Sequence, residues 1–318
     1  MPAYFYDADG DDRDIEISEA SLAEVQEHQL LWIDILRSDA ETLRAVAKLL
    51  QLSPVSLDQI ASGGQPKQLD SFEDHFQFSL PVAPGSTGLS ERVDYLVAKR
   101  WLLTIRDGDL AYFEDFRAKD RGESLRGRLT PAAMAASLLD WHLEAYRADI
   151  STVEKLIDRI DAAVLEERER RPPLAALAKL RTRVGVLRSR LGEHRPIIHG
   201  ILRSDFTHVS GLPHAEHFTA LERRFERTED MIDRAREIIT GSFDLYATRT
   251  AQDTNKLVKM LTLVTVVIGL AGAIAGIFGM NFETSIPKSG LAGFYLAVGS
   301  MVVLSVITFA LAVWRKWL

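Results

Sequence analysis

Small and polar residues recur along one side of an uncharged stretch near the C-terminal end of this 318-residue chain. Steps of three and four residues separate most of them, so they fall on one face of an α-helix. The face comprises Asn255, Val258, Thr262, Thr265, Gly269, Gly272, Gly276 and Gly279. Two interpretations fit this spacing. The small residues allow close packing of helices, or they form the wall of a water-filled path with polar rings at Asn255, Thr262 and Thr265.

An amide and a carboxylate follow where the uncharged stretch ends. The sequence reads Gly279-Met280-Asn281, and Glu283 comes two residues later. Polar and charged groups are costly within hydrocarbon. An amide oxygen can, however, hold a cation together with its water shell, and a carboxylate raises the local concentration of cations. These residues therefore predict the mouth of an ion pore.

Five of the eight histidines lie between His194 and His217. Within this group, His214 and His217 are three residues apart, so they can share one face of a helix and bind zinc. The alternative is a polar hairpin tip that precedes a long helix, and the surrounding pattern favours it. His214 and His217 are the candidate metal ligands.

Two uncharged segments near the C-terminus are long enough to cross a bilayer. They cover residues 260–280 and 291–313, and a membrane-spanning helix needs about 20 residues. Lys256 and Lys259 precede the first segment, and Arg315 and Lys316 follow the second. By the positive-inside rule, we expect a multi-pass protein of the cytoplasmic (inner) membrane with both termini in the cytoplasm.

The rest of the chain divides into an α/β part and a helical part. Residues 1–130 contain four strand-like segments at 30–36, 75–82, 92–100 and 101–108 and a helical one at 38–52, which predicts a cytosolic α/β domain. Residues 131–256 are periodic and predict a cytosolic helical stalk. From about residue 214 to residue 280 there is no proline, which predicts one helix, on the order of 100 Å long, that enters the membrane unbroken. Residues 257–318 form the transmembrane hairpin.

Composition and missing motifs exclude several functions. The chain has no cysteine, which rules out disulfides, thiolate metal sites and cysteine nucleophiles. It has no P-loop, nucleophile elbow, HExxH or dinucleotide motif, so we predict neither an enzyme nor a permanently bound cofactor. The net charge is −7, and no basic stripe argues for nucleic acid. The N-terminus lacks a basic region followed by an apolar one, so we expect no signal peptide.

The pair of C-terminal spans, joined by a short loop that begins Gly279-Met280-Asn281, resembles the CorA superfamily of divalent-cation transporters. Three further segments carry the resemblance, namely PKQLDSFEDHFQFSL (66–80), TNKLVKMLTLVT (254–265) and the ending RKWL (315–318). The resemblance implies a funnel-shaped homopentamer in the lipid bilayer, whose first spans line a pore. Asn281 would hold a hydrated cation at the outer mouth, Asn255 would form an inner polar ring, and Val258 and Leu261 would be hydrophobic gating positions.

Three departures from the family pattern bear on the transported ion. Magnesium-selective members have a second acid in the loop, whereas ETSIPKSG (283–290) has Lys288 nearby, and their first span has a proline where this chain has glycines. In the family, an acidic residue of the stalk helps to hold a regulatory magnesium ion. The corresponding position in this chain is Ala220, which predicts that this cytosolic site is lost. The zinc-transporting ZntB branch shares the fold, lacks the acidic loop and often has Ile-Pro in it, as at Ile286-Pro287.

Three functions remain as hypotheses. The first is a pentameric pore that carries Mg²⁺, with Co²⁺ and Ni²⁺ as further ions, driven by the membrane potential. The second is a ZntB-like Zn²⁺ transporter, with or without proton coupling. The third is a membrane-anchored cytosolic interaction module, for which the glycines only pack helices and Asn281 is replaceable.

Overall fold

A computed structural model describes residues 2–7, 12–16, 25–26, 29–61, 69–83, 91–118, 130–166, 174–209, 215–280 and 290–315. The chain forms two compact units, Met1–Gly241 and Ser242–Leu318. The boundary between them lies inside one long helix. The division at residues 130 and 256 expected from the sequence stays a prediction.

The first unit contains a seven-stranded sheet. Its strands are β1 (Pro2–Asp7), β2 (Arg13–Glu16), β3 (Gln29–Leu36), β4 (Asp70–Ser71), β5 (His75–Pro81), β6 (Arg92–Ala98) and β7 (Trp101–Arg106). Their spatial order is β2-β1-β3-β7-β6-β5-β4. Neighbouring strands are antiparallel except β3 and β7, which pair in parallel from Leu31 with Trp101 to Leu36 with Arg106.

Helices cover both faces of this sheet, which accounts for the near-continuous apolar runs of its central strands. On one face, Leu31 and Ile33 of β3 belong to an apolar core with Val46 of α1 (Ala40–Leu49) and Ile60 of α2 (Pro54–Ala61). On the other face lie α3 (Ala111–Ala118) and α4 (Pro131–Leu165). There the ring of Trp32 lies 5.6 Å from that of Phe113 and 5.8 Å from that of Phe116.

The four predicted strands are confirmed as β3, β5, β6 and β7, each within two residues at either end. The predicted helix is confirmed as α1, with Asp39 as its cap. The Asp39 carboxylate accepts a hydrogen bond from the Thr42 amide at 3.1 Å, which satisfies one of the free N–H groups of the first turn.

Four further helices follow α4, and they are α5 (Leu174–Gly192), α6 (Arg195–Ile201), α7 (Ala215–Gly279) and α8 (Leu291–Trp314). Helix α7 is the single unbroken helix predicted from the sequence, 65 residues long. Within the first unit its buried side repeats every three or four residues, as the periodic sequence predicts, with six apolar residues and one polar one, Thr228, namely Phe218, Leu221, Phe225, Thr228, Ile232, Ala235 and Ile239. The sequence does not predict α6, because a seven-residue helix is too short to show a periodic pattern.

Candidate functional site

Two helices of the described chain are long and apolar enough to cross a membrane, one within Glu216–Gly279 and the other Leu291–Trp314. In the most apolar 18 residues of each helix, the share of buried residues is 0% in the first helix and 6% in the second. Side chains that are both apolar and exposed need cover from lipid or from other copies of the chain. The residues predicted to line a path lie in this second unit.

The predicted face of α7 is uncovered along its length. Asn255, Thr262, Thr265 and the four glycines that follow are all exposed. Val258 and Leu261, the expected gating positions, are 54 and 67% exposed. The structure thus brings the predicted residues onto one helix, and within the described chain nothing lies over them.

The partly buried residues of the first span form a different face. They are Leu263, Val267, Ala271, Ile274 and Phe278. At about 100° per residue, this face lies on roughly the opposite side of α7 from the glycines. Helix α8 also has one covered face, made mostly of small residues, with Gly293, Ala297, Ser300, Ser305, Thr308 and Ala312. Small residues on a covered face are typical of helices that pack closely in a membrane.

Within the described residues, the four glycines on this face of α7 do not serve packing. A Cβ atom added at Gly269, Gly272, Gly276 or Gly279 would meet no other heavy atom within 4 Å. Since glycine weakens a helix by about 1 kcal/mol relative to alanine, four of them on an open face need another reason. Contact with another copy and a wall that faces water both supply one.

Two threonines supply polar oxygens on this open face. The Thr262 hydroxyl donates to the Val258 carbonyl at 2.8 Å, and the Thr265 hydroxyl donates to the Leu261 carbonyl at 2.8 Å. Because each hydroxyl proton is used inside the helix, the oxygen lone pairs point away from that bond and stay free to accept. Such an oxygen can accept a hydrogen bond from the water shell of a cation.

Both asparagines of the chain bracket the first span, Asn255 before it and Asn281 after it. Asp253 is near Asn255 in sequence but projects from the far side of the helix. Its carboxylate lies 3.3 Å from the Lys256 ammonium and 3.7 Å from the Arg249 guanidinium. The charged groups of this turn are therefore paired with one another, and the amide of Asn255 is the polar group on the open face.

The C-terminal end of the first span is described only to Met280. Helix α7 ends at Gly279, the Met280 amide donates to the Ile277 carbonyl at 3.4 Å, and the Met280 side chain is 51% exposed. Asn281 and Glu283, the predicted cation-holding groups, lie outside the described residues, as do Ile286, Pro287 and Lys288. Their roles stay predictions.

The described histidines of this segment do not gather into one site. His194 is buried against His142, with their Nε2 atoms 3.0 Å apart, while His199 faces Glu222 and His208 faces the Phe72 carbonyl. His217 lies on α7, and His214 is outside the described residues. Among the described residues, no three His, Cys, Asp or Glu side chains converge as a metal site would require. His142 is distant in sequence from the others, so no local pattern could have revealed this pair.

One group in the first unit has the order of a hydrolytic triad. The Asp74 carboxylate lies 2.7 Å from His75 Nδ1, and the Ser56 hydroxyl lies 3.5 Å from His75 Nε2. Ser56 is fully buried, however, and its hydroxyl donates to the Gln77 amide oxygen. A nucleophile must reach its substrate and pass its proton to the histidine, so this group is a hydrogen-bonded part of the core.

Comparison with known proteins places the chain near one set of transporters. Residues 27–315 match the model of a family described as CorA-like Mg²⁺ transporter protein. The cobalt/magnesium transport protein CorA of Thermotoga maritima is 23% identical over 295 residues, which cover 90% of this chain and 83% of that protein.

Three solved structures resemble the whole fold or part of it. The complete CorA magnesium transporter from Methanocaldococcus jannaschii superposes with a TM-score of 0.74 at 19% identity, over 100% of this chain and 99% of that one. The full-length CmaX protein gives 0.71 at 19% identity, over 100 and 97% of the two chains. The ZntB cytoplasmic domain from Vibrio parahaemolyticus gives 0.53 at 12% identity, over 79 and 95%. At these identities the likeness establishes the fold and leaves the ion open.

Proposed function

Because the chain belongs to the family of CorA-like Mg²⁺ transporter proteins, it is a membrane-embedded divalent-cation transporter, and we propose that it carries Mg²⁺ through a pore formed by five copies. Co²⁺ and Ni²⁺ are the further ions we expect it to accept. The cation is the cargo of this protein and is not a resident cofactor. Transport by such a pore requires no chemical step and no enzyme active site.

The uncovered face of α7 is the observation that supports this proposal. It runs from Asn255 to Gly279 and carries amide and hydroxyl oxygens on a side of the helix that nothing in the described chain covers. Two spans cannot enclose water alone, so several copies must surround an axis. When they do, the absence of side chains at the glycines leaves room for a hydrated ion.

The two asparagines suit a hydrated magnesium ion. Mg²⁺ gives up water reluctantly, so an amide oxygen that accepts from its water shell holds it better than a group that must displace the shell. We place Asn281 at the outer mouth beside Glu283 and Asn255 at the inner end. A membrane potential of about 100 mV supplies about 4.6 kcal/mol for a divalent ion, enough for uptake without ATP.

Ion uptake by the full chain in liposomes tests the proposal. We expect Mg²⁺ uptake under a membrane potential that is negative inside, and a loss of about tenfold or more in Asn281→Ala because the shell loses its acceptor at the mouth. Ser300→Ala is the matched control. Its hydroxyl is on the covered side of α8 and donates to the Ala297 carbonyl at 2.8 Å, so uptake should stay at the wild-type level.

The same assay, run with Zn²⁺ and with a pH gradient, tests the alternative. The likeness of the first unit to a ZntB cytoplasmic domain and the Ile286-Pro287 pair in the loop support a zinc transporter as the second candidate. Zinc uptake that needs the proton gradient, without magnesium uptake, would replace our proposal. If no divalent ion crosses at any potential, the hairpin is an anchor.

A further inference from the structure

Two histidines from different helices meet in the interior of the first unit. His142 of α4 and His194, the residue that precedes α6, are fully buried, with 3.0 Å between their Nε2 atoms. Their surroundings are aromatic and apolar, with the ring of Tyr146 5.7 Å from that of His142 and 5.4 Å from that of His194. Transport as proposed above does not use this pair.

The partners of the two rings fix every proton. His142 Nε2 lies 3.0 Å from the Pro81 carbonyl, which can only accept, so this nitrogen carries a hydrogen. His142 Nδ1 then accepts from the Tyr112 hydroxyl at 3.0 Å. His194 Nδ1 lies 3.1 Å from the Arg190 carbonyl and must donate to it. His194 Nε2 is left as a second acceptor, which shares the single hydrogen on His142 Nε2 with the Pro81 carbonyl, so both rings are neutral.

Protonation of either ring disrupts this arrangement. A proton on His194 Nε2 would point at the N–H of His142 across 3.0 Å with no acceptor between them. A proton on His142 Nδ1 would turn the Tyr112 hydroxyl into an acceptor and redirect its hydrogen towards Tyr95. The Pro81 carbonyl cannot relieve either case, because its two lone pairs already face the Tyr146 hydroxyl at 2.7 Å and His142 Nε2 at 3.0 Å. Since both rings are buried, the added charge also meets no water.

Charged and titratable groups on the surrounding elements do not offset that cost. Arg92 of β6 and Arg190 of α5 are positive, and the carboxylate of Glu193 is already paired with Arg92 at 3.0 Å. The charged and titratable groups that act on the pair or on the tyrosines beside it are Asp34, Arg92, Tyr95, Tyr112, Tyr146, Asp149, Arg190 and Glu193. Burial lowers the pKa of His142 to about 4 and that of His194 well below its usual value, and His142 lowers the latter further.

Contacts lead from this pair to the membrane-entering helix. Helix α6 starts directly after His194, and its first residue, Arg195, forms an ion pair with Glu229 of α7 at 2.5 Å and lies over the Phe225 ring at 5.8 Å. One turn later, His199 Nδ1 is 3.3 Å from the Glu222 carboxylate. Helix α6 is thus held at one end by the buried histidines and along its side by α7, which continues to Gly279.

We propose that the His142–His194 pair is a proton-sensitive latch on α6, and that acidification opens it and slows transport. This inference rests on the proposed function for its effect on flux. Both rings take up a proton less readily in the closed form than when exposed, so the open form binds more protons. The closed form is therefore favoured above about pH 6.5 and is lost as the pH falls from there towards about 4.

Flux at equal pH on both sides of the liposome membrane tests the latch without any proton gradient. We expect wild-type Mg²⁺ uptake to fall by about threefold or more between about pH 7.5 and about pH 5.5. The double variant His142→Gln/His194→Gln has no titrating ring in the latch and should lose that pH response. His208→Gln removes a histidine outside the pair and should keep it. If the double variant keeps the wild-type pH profile, the latch does not exist.

Hydrogen exchange of the wild-type full chain gives a readout that needs neither ion flux nor a variant that folds. After correction for intrinsic rates, the α6 amides should lose protection at the lower pH, while those of β6 and β7 should keep it. Equal protection of α6 at both pH values would overturn the inference. If the wild type carries no Mg²⁺, the proposed function fails, and α6 exchange alone then decides whether the pair responds to protons.

Discussion

At the scale of single residues, the open face of α7 is distinguished by four glycines, which place no side chains on it. Glycine is costly inside a helix, and no atom of the described chain comes near a Cβ placed at Gly269, Gly272, Gly276 or Gly279. Partly buried residues lie on the opposite side, where packing needs them. The glycines therefore preserve space outside the chain itself, either for water and an ion or for another copy.

A bulky side chain on this face should obstruct the path. We expect Gly272→Leu to lower Mg²⁺ uptake by about tenfold or more, because its apolar atoms would narrow and dry the pore. The measurement is initial uptake in liposomes at equal protein density, after gel filtration has confirmed assembly.

Leu270→Phe is the matched control for this substitution. Leu270 is also exposed, at 36%, and lies within one turn of Gly272, but its Cβ points about 160° away around the helix. We expect it to keep most of the wild-type uptake. Equal losses in the two variants would mean that the glycines serve contact between copies and do not line the path.

At the scale of elements, hydrogen bonds and ion pairs of one arginine join the ends of strands and a helix in the first unit. Arg37, just after β3, lies 2.7 Å from the Asp94 carboxylate of β6 and 2.5 Å from that of Asp107 after β7, and donates to the Ile60 carbonyl of α2 at 2.7 Å. One guanidinium thus joins four elements. Asp94 is almost fully buried, so its charge depends on this partner.

Removal of Arg37 should be costly, and more so at neutral pH than in acid. Burial raises the pKa of Asp94 and Arg37 opposes that rise, so Arg37→Ala raises the pKa further and leaves a buried carboxylate unpaired. The expected loss of stability is about 3–5 kcal/mol near neutral pH. A carboxyl whose folded pKa exceeds its unfolded value stabilises the fold as pH falls, so protonation should shrink this loss.

Urea unfolding at two pH values, followed by tryptophan fluorescence, measures this effect. Arg203→Ala is the control, because Arg203 pairs with Asp205 at 2.7 Å on the surface, where both side chains are highly exposed, at 69 and 65%. It should change stability little at either pH. A loss in Arg37→Ala that does not depend on pH would show that Asp94 is not the group left unsatisfied.

At the scale of the whole molecule, the chain leaves much apolar surface without a partner. Nearly every residue from Leu257 to Met280 and from Leu291 to Trp314 is at least partly exposed, and most are apolar. Lipid can cover the apolar part. Lipid cannot serve as the water that a hydrated ion needs, so the proposed pore requires other copies of the chain around a common axis.

We expect the purified protein to be a pentamer. Native mass spectrometry from detergent should give a protein mass of five times the 35.5 kDa chain. Crosslinking in the native membrane would show whether the same assembly exists before extraction. A single copy, or a dimer in both experiments, would remove the pore and with it the proposed function.

Much of this protein could be predicted from local sequence signals. Strands β3, β5, β6 and β7, helix α1 with a cap at Ser38 or Asp39, and the unbroken α7 follow from short-range periodicity, capping and the lack of proline. Membrane spans are set by length and apolarity alone. The position of the glycines on one helical face likewise needs only the spacing of residues along the chain.

Tertiary structure alone decided which residues from distant segments meet. The described histidines of the histidine-rich segment lie apart from one another. The one among them that is fully buried, His194, contacts His142, which lies some fifty residues earlier in the chain. Arg37 contacts three partners on other elements. In the first span, one side of α7 is partly covered and the opposite side is open. Burial, and the cost of leaving a polar group unpaired in it, depends on how elements pack against one another, and packing has no local signature in the sequence.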